Sequence, residues 1–119
     1  MEEIRLYEEL KPYIDVPDAL ERVRGNKAIL KSLLTLFLKD DYYLTLKGQL
    51  DAGDLAAAIH TAHAMKGLAA NLSLASLYDA VLLLELQLKN GMRTDNDLPQ
   101  LELTREKTRS CLERLASEL

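Results

Sequence analysis

The chain has 119 residues, 48% hydrophobic and 29% charged, which fits one soluble domain over residues 1–119 with a core of its own. The net charge is −4 and no basic block is present, which argues against nucleic acid as the main partner. No apolar run approaches the roughly 20 residues of a membrane span. The single cysteine, Cys111, rules out an intrachain disulfide, so we expect a cytoplasmic protein that does not contact a membrane.

The composition favours helices, because one Phe, five Tyr and no Trp leave a core made mostly of leucine and alanine. In chain order, a short charged helix is predicted from about Glu2 to Leu10. Pro12 limits this helix, and Pro17 opens a brief further helix through Val23, since proline is tolerated at helix starts.

An apolar stripe at helical spacing predicts one long helix from about Asn26 to Leu50. The stripe consists of Leu30, Leu33, Leu34, Phe37, Leu38 and Leu44. Gly53 can close this helix in the left-handed conformation, and Asp54 can cap a third long segment that ends near Leu72. The predicted apolar face of that segment is Leu55, Ala58, Ala62, Met65, Ala69 and Leu72.

A further helix is predicted from about Leu74 to Lys89, with Asn90-Gly91 as its stop. Its stripe is Leu77, Val81, Leu84 and Leu88. After a loop over residues 92–96, the last helix begins near Asp97 and continues to the C-terminus. Its apolar side is Leu101, Thr108, Leu112, Leu115 and Leu119.

These segments predict an all-α fold, an antiparallel up-down-up-down four-helix bundle with a short extra N-terminal helix, because short connections force neighbouring helices to run antiparallel. No segment is apolar all round, so every helix has a face in water. Functional side chains are therefore expected on a helix face rather than in a deep cleft.

The most informative run of the chain begins at His60 and reads His-Thr-Ala-His-Ala-Met-Lys-Gly. Successive residues turn by about 100° around a helix, so His63, Lys66 and Gly67 share one side of it. With Ala62 at the centre of the buried face, His63 lies on the shoulder where the helix meets solvent. Small residues and a second histidine line the same shoulder. We predict that a partner docks there, on Ala56, His60, Ala70 and Asn71.

This combination suits the handling of a phosphoryl group. A neutral imidazole is a nucleophile, and one ring nitrogen can attack phosphorus while the other carries the proton. Lys66 would offset the negative charge of the phosphoryl group. A glycine inside a helix costs roughly 1 kcal/mol relative to alanine, so Gly67 needs a reason, either access for a partner or a tight helix crossing.

The run and its surroundings resemble the histidine-containing phosphotransfer (HPt) domains of two-component phosphorelays. The pattern of that family is approximately His-x-x-Lys-Gly-x-Ala-x-Asn-Leu-Gly, followed on the next helix by Leu, a small residue and Leu-Glu. This chain supplies His63, Lys66, Gly67, Ala69, Asn71 and Leu72, then Leu77, Ala80 or Val81, and Leu84-Glu85. Phe37, the turn at residues 52–54 and Ala62 also agree, so the resemblance covers about residues 14–91.

The resemblance implies a phosphocarrier without kinase activity of its own. His63 would accept a phosphoryl group from an aspartyl phosphate on a response-regulator receiver domain and pass it to another, downstream of a sensor or hybrid histidine kinase. Mg²⁺ would sit on the receiver, so this chain would bind no cofactor and no metal. Glu85 would orient the imidazole from the next helix, and Lys89 would add positive charge.

The chain departs from the family at Ser73, where the family usually has glycine. We expect a turn there in either case, with the serine as the N-cap of the following helix.

Two other readings stay open. His60 and His63 could bind one metal ion, although bundle metal sites face the core and these histidines lie on the shoulder. The bundle could also be a non-catalytic docking or dimerisation module whose histidine is never phosphorylated.

Overall fold

The part of the chain that the structure describes is all-helical. A computed structural model describes residues 2–39, 41–91 and 97–119, and these contain no strand. The helices are α1 (Glu2–Leu10), α2 (Val16–Arg22), α3 (Lys27–Lys39), α4 (Tyr42–Asp51), α5 (Leu55–Asn71), α6 (Ala75–Lys89) and α7 (Asp97–Glu118). The all-α prediction is confirmed, and the loop predicted over residues 92–96 lies outside the described residues. In the described ranges, no helix has the length and apolar character needed to cross a membrane.

The turn before α5 forms as its residues predict. Gly53 adopts a φ of +73°, in the left-handed region that glycine enters without strain. The carboxylate of Asp54 then accepts a hydrogen bond from the backbone N–H of Ala57 at 3.1 Å. Gly91, with a φ of +67°, similarly follows the end of α6. The predicted bounds of both helices are therefore confirmed to within a residue or two.

The predicted long helix from Asn26 to Leu50 is wrong, because the chain forms two helices, α3 and α4, in that region. Leu30 is buried in α3, whereas Tyr43 and Leu46 are buried in α4. In one uninterrupted helix, Tyr43 and Leu46 would point about 140–160° away from Leu30. The interruption lets both faces reach the core. Leu44, which continues the stripe of α3 at helical spacing, is consequently 60% exposed.

Two arginines of α7 bind the chain on either side of this interruption. Arg109 donates a hydrogen bond to the carbonyl of Leu38 at 2.7 Å, near the end of α3. Arg105 contacts both carboxylate oxygens of Asp41, its Nε lying 3.1 Å from Oδ1. Asp41 is the N-cap of α4 and accepts from the backbone N–H of Leu44 at 3.4 Å. The last turn of α3 and the N-cap of α4 are thus both stabilised by α7.

Most of the core is formed by α3 to α7, and Leu10 of α1 and Val16 and Ala19 of α2 are also buried in it. Helix α5 packs against α4 and α6, and α7 packs against α6 and α3. The predicted apolar faces of α5, α6 and α7 are buried except at two positions. Leu119 is partly buried, and Leu55, the first residue of α5, is exposed one turn before the buried series starts at Ala58. Leu33 of α3 was also predicted to face the core but is exposed.

Ser73 is not the N-cap of α6, contrary to the prediction. Leu74 occupies that position, and no side chain caps the helix. Ser73 instead has a φ of +60°, in the left-handed region where glycine is unstrained. Its hydroxyl donates to Asp18 of α2 at 2.5 Å, and its carbonyl accepts from the backbone N–H of Asp15 at 3.0 Å. The turn between α5 and α6 is therefore tied to α2.

Candidate functional site

His63 lies on a strip of α5 that faces solvent. Its side chain is 66% exposed, and its backbone is held by the buried positions Ala62 and Met65 on either side. The residues predicted for partner docking and access are all exposed along α5 as well. They are Ala56, His60, Gly67, Ala70 and Asn71. We call these residues and His63 the His63 strip. Their exposure agrees with the helical spacing, and their part in docking stays a prediction.

The carboxylate of Glu85, on α6, lies against this strip and is almost completely buried, with 1% of the residue exposed. One oxygen, Oε1, lies 3.2 Å from Nδ1 of His63. The same oxygen accepts a hydrogen bond from Nζ of Lys89 at 2.7 Å. The other oxygen, Oε2, lies 2.9 Å from Nζ of Lys66. The packing of α5 on α6 therefore gathers one carboxylate, two ammonium groups and one imidazole.

This surrounding keeps Glu85 ionised. Burial alone would raise the pKa of the Glu85 carboxyl, but hydrogen bonds from Lys89, Lys66 and His63 outweigh it and lower the pKa to about 2. An ionised carboxylate can only accept hydrogen bonds. In a neutral His63 ring, the proton must therefore be on Nδ1, and Nε2 carries the free lone pair.

The two lysines differ in their surroundings. Lys66 is predominantly buried, with 20% of its side chain exposed, whereas Lys89 is half exposed. The sequence assigned the charge of Lys66 to a phosphoryl group, and in the structure this ammonium group contacts Glu85. The Lys66–Glu85 contact was missed, because the sequence resemblance paired Glu85 with His63 and indicated no second partner for this carboxylate on α5.

Gly67 has no packing reason within the described chain. A Cβ built at this position meets no heavy atom within 4 Å, apart from the helix itself. A tight helix crossing, one of the two reasons considered for this glycine, is therefore absent. The space above Gly67, next to His63, is open, and its use as access for a partner stays a prediction.

A polar contact near His63 was not predicted from the sequence. The hydroxyl of Thr61, buried on α5, donates to Oε1 of Gln49 on α4 at 2.7 Å. This bond ties α4 to α5 two residues before His63. A threonine among the alanines of the buried face was the only signal, because a buried hydroxyl requires a partner.

The residues that the structure describes contain no group of three or more His, Cys, Asp or Glu side chains arranged to hold a metal ion. His60 and His63 are both on the exposed strip, away from the core positions where bundle metal sites are built.

Comparison with known proteins identifies the family. No curated protein and no solved structure matches the chain. A family model described as "Hpt domain" matches residues 32–118, which include α4 to α7 and every residue of the site. This match spans well over half of the chain and extends the sequence resemblance through α7. The chain belongs to the Hpt domain family.

Proposed function

We propose that this chain is a phosphorelay intermediate in which His63 accepts a phosphoryl group from an aspartyl phosphate of a receiver domain and passes it to another receiver. Membership in the Hpt family implies phosphotransfer in two-component signalling. The observation that carries the assignment to His63 is its exposed ring with Nδ1 directed at the buried, ionised Glu85.

The transfer step follows from this geometry. Nε2 of His63 attacks phosphorus, so that an N–P bond forms while the P–O bond to the receiver aspartate breaks. The electron pair of that bond leaves with the aspartate carboxylate. The proton on Nδ1 stays in place, because Glu85 accepts its hydrogen bond before and after the step. Passing the phosphoryl group to a second receiver is the same step in reverse.

The charges around Glu85 support the same step. One carboxylate and two ammonium groups, from Lys66 and Lys89, leave a net positive charge beside the imidazole. A phosphoryl group brings about two negative charges, which this excess stabilises. We assign the larger part of this stabilisation of the phosphoryl group to Lys66, which lies one turn from His63 on the same helix. Mg²⁺ for the reaction would be held by the receiver rather than by this chain.

The His63 strip fits a receiver as the docking partner. Exposed helix faces usually carry long charged side chains, whereas Ala56, Gly67 and Ala70 leave the backbone of α5 accessible. His60 and Asn71 would contribute polar contacts at the edges of that surface. A receiver, which brings its own acidic site and loops around the phosphorus, needs such room.

We also infer an up-down-up-down four-helix bundle, with α3 and α4 together as the first helix and α5, α6 and α7 as the others. The packing of α4 on α5, α5 on α6, α6 on α7 and α7 on α3 supports this arrangement, as do the short turns at residues 52–54 and 72–74.

The test is transfer of label from a phosphorylated receiver to the purified chain. We expect acid-labile, alkali-stable label, the signature of phosphohistidine, and its loss in His63→Gln. His60→Gln is the matched control, since His60 lies one turn away on the same strip, and it should still be labelled. Label that persists in His63→Gln, or that fails to appear with a panel of receivers, would favour the docking or dimerisation module instead.

A further inference from the structure

We propose that Lys89 is a positioning residue that balances the negative charge of Glu85, so that Glu85 orients the imidazole of His63 without favouring its protonated form. This inference rests on the proposed function, because it is the neutral imidazole that attacks phosphorus.

The contacts at Glu85 pose a problem that Lys89 solves. A buried carboxylate is costly unless positive charge or hydrogen bonds compensate it. If His63 were the main partner of Glu85, the negative charge of the buried carboxylate would be best compensated by the imidazolium form of His63. Imidazolium has protons on both nitrogens, so it has no lone pair with which to attack phosphorus. Two lysines supply the positive charge instead, and the ring then needs to donate only its Nδ1 proton.

Lys89, rather than Lys66, contacts the same Glu85 oxygen as His63. Both Nζ of Lys89 and Nδ1 of His63 contact Oε1 of Glu85, at 2.7 and 3.2 Å, whereas Lys66 contacts Oε2. The charged groups that face this ring thus come from α5 and α6. Helix α4, which also packs on α5, contributes the uncharged Gln49 to the contact with Thr61.

Lys89 is also the lysine that can be replaced with least damage to packing. Its side chain is half exposed, whereas that of Lys66 is mostly buried beneath the strip. Since both nitrogens contact Oε1, Nζ of Lys89 and Nδ1 of His63 lie within about 6 Å of each other. At that distance in a water-like dielectric, removing one unit charge changes the ratio of imidazolium to imidazole about three-fold.

The experiment compares variants of the full chain by NMR of the His63 ring over the range from about pH 5 to 8, where imidazoles titrate. Lys89→Met should raise the ratio of imidazolium to imidazole about three-fold at a given pH, and Lys89→Arg should restore it. Lys107→Met removes the same charge from an exposed position on α7 and should leave the ratio unchanged. If Lys89→Met does not fold, as judged by circular dichroism, Lys89→Gln repeats the test.

Phosphotransfer provides the second readout. Lys89→Met should be labelled more slowly than the unmodified chain at both pH 6 and pH 8, because it removes charge that stabilises the phosphoryl group. Its rate relative to the unmodified chain should be lower near pH 6 than near pH 8, because imidazolium cannot attack phosphorus. An unchanged or lower ratio in Lys89→Met, or an equal rise in Lys107→Met, would overturn the proposal. Failure of the unmodified chain to accept label would overturn the phosphorelay function alone, since the NMR comparison needs no phosphoryl group.

Discussion

Replacing Gly67 by alanine should separate the stability of α5 from access to His63. Alanine is favoured over glycine inside a helix by about 1 kcal/mol, and the new Cβ would meet no atom within 4 Å. The free energy of unfolding should therefore rise by about 1 kcal/mol, which corresponds to about 4 °C in Tm for a domain of this size. Chemical and thermal unfolding followed by circular dichroism measure this gain.

The same methyl group should slow phosphotransfer. It would stand on the His63 strip, one turn from the imidazole, where a docked receiver must come close. Forcing an extra methyl group into a packed interface costs about 1–3 kcal/mol, so the initial rate of label transfer should fall about ten-fold. The expected variant is thus more stable and less active than the unmodified chain.

Gly48 provides the matched control. It lies on the exposed side of α4, and a Cβ built there also meets nothing within 4 Å. Gly48→Ala should gain similar stability and transfer label at the unmodified rate. Normal label transfer by Gly67→Ala would show that a methyl group at this position does not block access to His63. An equal loss of transfer in Gly48→Ala would show that the loss in Gly67→Ala has another cause. Either result would contradict the role in access that is proposed for Gly67.

Three further outcomes concern stability. The pKa of Glu85 is lowered to about 2 from 4.5, so its ionised form stabilises the fold above about pH 4.5. This stabilisation is lost as the pH falls from 4.5 towards 2. In Glu85→Gln, the free energy of unfolding should therefore fall by about 2–3 kcal/mol less over the same acid titration. Ser73→Gly removes about 1 kcal/mol of left-handed backbone strain but also the hydrogen bond to Asp18. Ser73→Ala keeps the strain and loses the hydrogen bond. Urea unfolding should therefore show Ser73→Ala to be less stable than both Ser73→Gly and the unmodified chain. Arg105→Met leaves Asp41 without its arginine and should lower the free energy of unfolding by about 1–2 kcal/mol. Lys107→Met, at an exposed position on the same helix, should change the free energy of unfolding by close to zero. Equal effects of the two variants would contradict a role for Arg105 at the start of α4.

The helix that carries the site was predictable because its signals are local. Asp54 caps it, Gly53 precedes it, and the apolar positions from Ala58 to Ala69 repeat with helical spacing. The exposure of His63 follows from the same spacing. Local signals failed between α3 and α4, since Leu44 continues the apolar stripe of α3 while Tyr43 and Leu46 are the residues that α4 buries. One usable signal was Asp41 itself, an N-cap residue type in the middle of an apparently continuous helix.

The contacts of Glu85 were beyond local signals. A carboxylate is rarely buried unless it is paired, and its partners here come from two helices whose relative register depends on the whole core. The family resemblance placed Glu85 opposite His63, and Lys89 followed from its position one turn later. The contact of Lys66 with the same carboxylate could be found only from the three-dimensional structure. From its position on α5 alone, this lysine is expected to be a solvent-exposed charge.

Glu85, rather than Gly67, is the feature that best separates a phosphotransfer surface from a passive docking surface. Gly48 is as open as Gly67 and lies outside the site, so a helix glycine without contacts is weak evidence by itself. A buried ion cluster is also weak evidence for stability, since apolar side chains of similar volume often serve a core as well or better. A docking module would gain nothing from directing an ionised, buried carboxylate at an exposed imidazole. A phosphocarrier gains a fixed Nδ1 proton and a free Nε2, and both are favoured by the contact of Nδ1 with Glu85 and by the exposure of the His63 ring.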